Sequence, residues 1–307
     1  MNQLSNNIKS SSEIDLAEIF RILLKNKYKI IITTAICSIL AAFISLSIPN
    51  EYVSRAVLAE EGGVSTGLPS QYASVASMAG IDLGSSNGSN KLSIAIEKVK
   101  SLDFFEDFLE KHNLSYEIMG VNGWDSSNNV LINNDDFFDK KNNKWIADIP
   151  FAIEGKPSTQ TIHREFLSNF SISKDAKTDF TIVSMKHYSP FVAKNILDLI
   201  IDDVNEMTRL NDISSARQSI KFLQTELTKT NISDLKVGLN ELIKKNFEKI
   251  AVANSSPEYL LKVISSPVAP ELKSAPKRSL IVLLAIFISF FLSCTIACLL
   301  NIVKKNT

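Results

Sequence analysis

The chain has 307 residues, 33 of them basic and 33 acidic, so it carries no basic field of the kind that nucleic-acid binding requires. Two long uncharged stretches lie near opposite ends, at residues 30–48 and 279–303, and the sequence between them is enough for one or two ordinary domains. All three cysteines, Cys37, Cys294 and Cys298, fall inside those stretches, which excludes a disulfide within the intervening domain.

Each stretch is long enough to cross a bilayer as a helix, since about 20 apolar residues match a hydrocarbon core about 30 Å thick. Two crossings place both termini on one side and the intervening domain on the other. Arg21, Lys25, Lys27 and Lys29 precede the first span, while Arg55 stands alone near its far end, so the N-terminus is expected in the cytoplasm. Lys304 and Lys305 agree. Lys262, Lys273, Lys277 and Arg278 oppose, but the first span usually dominates and long loops translocate largely regardless of charge. The late start and length of the first stretch, with no small-residue cleavage site after it, argue against a removed signal peptide. The expected layout is an arm at 1–29, a span at 30–48, an exported domain at 49–278, a span at 279–303 and a tail at 304–307.

In the arm, Leu16, Ile19, Phe20, Leu23 and Leu24 recur at helical spacing, with Ser12 or Asp15 as a cap. This helix either lies on the membrane surface or simply continues into the span. Residues 52–60 alternate loosely and read as a strand. Residues 62–90 are rich in Gly, Ser and Ala, with Leu68, Tyr72, Val75, Met78, Ile81 and Leu83 spaced through them. They read as a loop holding a short helix at 70–78, and a loop of that size points to contact with a neighbouring subunit, through Tyr72 and Met78. Residues 91–112 read as helix broken near 101–103. Residues 113–151 are polar and interrupted, anchored by Trp124 and Trp145; 162–170 is helical, and 170–173 with 181–186 form a hairpin.

The strongest periodicity follows. Ala193, Ile196, Ile200, Val204, Met207, Leu210, Ile213, Ala216, Ile220, Leu223 and Leu227 step by three or four, predicting a helix over 190–230. At about 1.5 Å per residue it is about 60 Å long, more than a small domain needs, so it is expected to project away from the membrane. A second helix at 233–252 folds back along it, with Gly238 a weak point. Residues 260–264 then form a strand able to pair with 52–60, bringing the two anchors together. Pro267, Pro270 and Pro276, with Lys277 and Arg278, lead into the second span; the prolines either stiffen this join or merely break the helix before it.

No catalytic constellation emerges. His112, His163 and His187 are scattered, no Gly-rich phosphate loop or dinucleotide fingerprint is present, and Cys294 with Cys298 read as packing residues rather than half of a metal site. Acid pairs such as Asp202 and Asp203 are adjacent on a helix and point apart. No enzyme activity, metal or cofactor is expected.

Several segments together carry a family resemblance: Asp15 to Phe20, Ser70 to Leu83, Ser189-Pro190 through Ala193 with Asn205, Glu258-Tyr259, and Pro267 to Arg278. In these the chain resembles the polysaccharide co-polymerases, or chain-length determinant proteins, of bacterial cell-surface polysaccharides. The resemblance implies an inner-membrane protein of α+β class, two transmembrane helices flanking a periplasmic domain with a membrane-proximal α/β base and long protruding helices. It also implies a ring-like homo-oligomer that regulates how many units the polymerase adds to an undecaprenyl-pyrophosphate-linked glycan. The sequence looks most like the branch acting on lipopolysaccharide O-antigen; only residues 304–307 follow the second span, so no kinase domain is expected in this chain.

The expected mechanism is a scaffold whose many weak contacts set the residence of the O-antigen polymerase or growing glycan. Candidate contacts on the long helix are Glu206, Arg209, Asp212, Arg217 and Lys221, whose charges can pair between subunits or simply solvate a face. In the second span, Ser289, Ser293 and Ala297 suit close helix contact. The alternatives are a membrane-anchored adaptor for export or a ligand-sensing receptor, the latter lacking an output domain in the arm and tail.

Overall fold

The structure, a computed structural model, describes residues 16–60, 88–142, 144–146, 155–178 and 180–306. Ser12, Asp15 and the loop at 62–90 with its expected helix at 70–78, including Tyr72 and Met78, lie outside these residues, except that 88–90 open a helix. The chain divides into two compact units, Met1–Pro49 with Ala275–Thr307, and Asn50–Ser274.

The first unit holds α1 (Leu16–Lys25), α2 (Lys27–Ser47) and the terminal helix α9 (Arg278–Asn306). Helical hydrogen bonds run through Asn26, from its amide to Ile22 O and from the Ile30 amide to Asn26 O, so α1 continues into α2. Both α2 and α9 are long and apolar enough to cross a membrane. Their burial is inverted relative to a soluble core. Ser45 and Ser289 are buried and Thr34, Ser38, Ala42, Ser293 and Ala297 half-buried, while Ile31, Phe43, Ile288 and Phe291 are exposed. Small residues turned inward let the two backbones approach, and large apolar ones turned outward suit a hydrocarbon solvent. Thr33 Oγ1 and Ser293 Oγ lie 2.8 Å apart across this seam. The small face of α9 therefore packs against the chain's own α2.

The second unit is α+β. A four-stranded antiparallel sheet has the order β6-β7-β1-β8, from β1 (Tyr52–Glu60), β6 (Phe170–Lys174), β7 (Thr181–His187) and β8 (Leu261–Ser265). β1 alternates as a one-sided strand must, with Ser54, Ala56 and Leu58 buried and Arg55 exposed. Its pairing with β8 joins the strands nearest in sequence to the two apolar helices.

Against the sheet pack α3 (Gly88–Val99), α4 (Leu102–His112), α6 (Thr159–Asn169) and the first half of α7 (Pro190–Lys229). Ser101 separates α3 from α4 by serving both: its hydroxyl donates to Lys98 O at 2.6 Å and accepts the Phe104 amide at 3.3 Å. Phe105, Phe108, Phe166, Ile196, Leu197 and Val204 form the centre of this core, all nearly inaccessible. Ser189 caps α7 and Pro190 opens it, a position where the missing amide costs no hydrogen bond. Over 40 residues α7 is about 60 Å long. Its later turns leave the main core and pack on α8 (Ser233–Ser255), where Leu223, Leu239 and Leu242 form a second, smaller core. Gly238 is buried in α8.

Residues 113–146 hold more order than their composition implies. A short helix α5 (Ser115–Met119) precedes two hairpins, β2 (Val121–Asp125) with β3 (Val130–Asn133), and β4 (Phe138–Asp139) with β5 (Lys144–Trp145). Trp124 packs edge-on to Tyr52, and Trp145 edge-on to Phe138.

Candidate functional site

The middle of α7 ties four elements together. Asp212 accepts from Lys249 Nζ of α8 at 2.8 Å, from Tyr259 Oη ahead of β8 at 2.8 Å and from Lys91 Nζ of α3 at 3.3 Å. Burial alone would push its carboxyl up, but the Lys249 and Tyr259 hydrogen bonds and the Lys249 and Lys91 charges hold it below the usual carboxylate range. Tyr259 is correspondingly driven up, first by burial and then by Asp212. Two turns earlier, the buried Asn205 accepts from the Leu260 and Leu261 amides and donates to Leu261 O. Asn205, Asp212 and Tyr259 thus fix where the chain returns from α8 to the sheet.

The other charges named on α7 stand differently. Glu206 accepts from Lys111 at 3.2 Å, a pair with both partners about half exposed and so of little energetic consequence. Lys111 also reaches Asp203 at 2.8 Å, and these hydrogen bonds raise its pKa. Arg217 and Lys221 are exposed and Arg209 half-buried, and none has an ion-pair partner among the described residues.

Pro267 is buried and Pro270 and Pro276 are half-buried. After β8 the segment continues beside the start of β1 without regular ladder bonds, since proline has no amide to give. Side-chain and end contacts replace them: the buried Ser54 hydroxyl donates to Val268 O at 2.8 Å, and the Ser274 amide donates to Glu51 O at 2.8 Å. The chain therefore leaves the second unit alongside the point where it enters. Within the first unit, Arg278 donates from Nε to Ser45 O at 3.1 Å and from Nη2 to Ile48 O at 3.3 Å, satisfying carbonyls at the end of α2. Lys277 is exposed.

Each histidine has a structural partner. His112 Nε2 lies 2.9 Å from Asp203, a clasp between α4 and α7 that sequence spacing does not reveal; the neighbouring Asp202 is exposed. His163 Nε2 lies 3.0 Å from Lys100 O. His187 is buried, accepting the Ser189 amide at Nδ1 and so donating from Nε2 to Glu117 O. No group of three or more metal-ligating side chains occurs among the described residues.

Residues 12–112 match the Wzz family of chain length determinant proteins. No curated protein matches the sequence. Among solved structures, a full-length bacterial polysaccharide co-polymerase is 13% identical over 95% of this chain and 99% of its own, with a TM-score of 0.45. A fragment of WzzB, a polysaccharide co-polymerase from Salmonella Typhimurium, is 12% identical over 74% of this chain and all of its own, with a TM-score of 0.31. The Wzz match includes α1, α2 and β1 and ends at the close of α4.

Proposed function

We propose that this protein regulates the chain-length distribution of a bacterial cell-surface polysaccharide, the O-antigen of lipopolysaccharide, as an oligomeric scaffold in the inner membrane. The Wzz match over residues 12–112 carries this reading. Two helices fit to span a bilayer support the membrane placement, and Arg21, Lys25, Lys27 and Lys29 before the first support cytoplasmic termini with residues 49–278 in the periplasm.

The scaffold needs no chemistry of its own. Copies associate through the surface of α7 and residues 62–90, and the assembly holds the polymerase or the undecaprenyl-pyrophosphate-linked glycan for a limited number of additions. Asp212 is committed within the chain, whereas the α7 cations Arg209, Arg217 and Lys221 have no ion-pair partner among the described residues and are available to a neighbour. Many weak contacts in a closed assembly raise effective concentration and set residence without one strong site. Deleting the gene tests the reading. Polymer that is still made but has lost its preferred length supports a regulator; complete loss of surface polymer favours an export adaptor instead.

A further inference from the structure

A concavity in the second unit has a volume of about 480 Å³ and lies between α6, the end of β7 and the turn after β3. That size falls in the range of about 300–1,000 Å³ typical of small-molecule sites. One face is a complete stripe of α6, Thr161, Arg164, Glu165, Ser168 and Asn169, at i, i+3, i+4, i+7 and i+8. Of this stripe Arg164, Glu165 and Ser168 are exposed and Thr161 and Asn169 half-buried, so it forms the open, solvated side of the pocket. The floor is apolar, from Ile118, Met119, Val121 and Phe137.

The polar groups are only partly used. Glu51 pairs with Lys186 at 3.4 Å, and one oxygen of Glu165 accepts from Asn169 at 2.8 Å. The Arg164 guanidinium, the Asn134 side-chain amide and the Tyr188 hydroxyl, all lining the pocket, donate to no described residue. The rim thus offers spare donors beside carboxylate acceptors. Its two cations, Arg164 and Lys186, are balanced by two anions, Glu51 and Glu165. A phosphate or other anion would lose to the carboxylates what it gained from the cations, whereas an uncharged polyol uses both, because each hydroxyl donates and accepts. The apolar floor suits the C–H face of a sugar ring. We infer that this pocket binds a short uncharged saccharide segment. Taken as the growing glycan, that segment gives the chain-length reading, on which this assignment rests, a direct contact between protein and polymer.

The test uses the full chain in lipid nanodiscs and, as probe, the repeat-unit oligosaccharide released by mild acid from the host's own surface polysaccharide, with inorganic phosphate as competitor. The expected result is saccharide binding to the wild type that is about tenfold weaker in Arg164→Ala and in Asn134→Ala, the equivalent of one charge-assisted or well-placed hydrogen bond, and indifferent to phosphate. Thermal melts of the two variants should match the wild type. No binding, equal binding by wild type and both variants, or displacement by phosphate overturns the assignment. Absence of binding in a protein that still restores a defined polymer length in cells overturns the pocket alone; a deletion strain with unchanged polymer lengths overturns the chain-length reading itself.

Discussion

The Asn205 side chain holds both backbone groups of Leu261, donating to its carbonyl at 3.1 Å and accepting its amide at 2.8 Å. It also accepts the Leu260 amide at 2.9 Å, so one buried amide on α7 satisfies three backbone groups where β8 begins. Only a side chain that both donates and accepts can do this. Asn205→Ala should cost about 2–4 kcal/mol, because it strands buried polar groups. Asn205→Asp should not rescue it, having no donor for Leu261 O. Hydrogen exchange at Leu260 and Leu261, with urea midpoints, checks both; native protection in either variant would contradict the account.

Asp212 should be the most costly charge to remove on α7. Three groups converge on it, two of them hydrogen-bonded at 2.8 Å, and its side chain is 18% exposed. Asp212→Ala is expected to destabilise by about 1–3 kcal/mol, whereas Lys91→Ala, which removes a half-exposed partner, should cost less than about 1 kcal/mol. Equal effects in urea denaturation would show that Asp212 is no hub.

Stability should decline in mild acid through His187. Burial, opposed by the bond its Nε2 donates to Glu117 O, depresses the ring's pKa below the ordinary imidazole value of about 6.5. The unfolded chain then binds the proton first, so this contribution is fully present above about pH 6.5 and is lost as pH falls below it. Asp212, also depressed, adds its own loss only below about pH 3.9. Urea midpoints from pH 8 to 5 should fall in the wild type and fall less in His187→Gln; parallel slopes would refute the assignment.

The seam between α2 and α9 belongs to one chain. With Cys37, Cys294 and Cys298 replaced by alanine, Thr33→Cys combined with Ser293→Cys should oxidise to a disulfide within the monomer, since the native hydroxyls are 2.8 Å apart. Covalent dimers as the main product would mean that these small faces join neighbouring copies instead.

Assembly should be sensitive to the α7 cations that lack an ion-pair partner among the described residues, the exposed Arg217 and Lys221 and the half-buried Arg209. Reversing Arg209, Arg217 and Lys221 together to glutamate should reduce cross-linked oligomer in membranes while leaving the urea midpoint within about 0.5 kcal/mol of wild type, as for surface changes. Undiminished cross-linking would remove this face from the proposed interface.

The long helices and the sheet's main pairings are legible in the sequence because their signals are periodic and dense. Apolar steps of three and four from Ala193 to Leu227 give α7, observed as Pro190–Lys229, and the strand read at 260–264 pairs with β1 as expected. The hairpins within 121–145 are not legible, because their strands are two to five residues long and their turns are made by side chains. Asp125 accepts from the Ser127 amide and Asn128, and Asp139 from the Lys141 amide and Asn142, a repeated Asp-x-x-Asn signature that composition alone reads as loop. The role of Asp212 is equally hidden. Lys91, Lys249 and Tyr259 lie 121, 37 and 47 residues from it, beyond the reach of any local spacing rule.

Chain-length control itself is tested most directly by a gel of surface lipopolysaccharide from a strain lacking this protein, beside the same strain with the full chain restored. The expected result is a defined modal length that disappears on deletion and returns on restoration, with polymer made throughout. A length distribution unchanged by deletion would contradict the account.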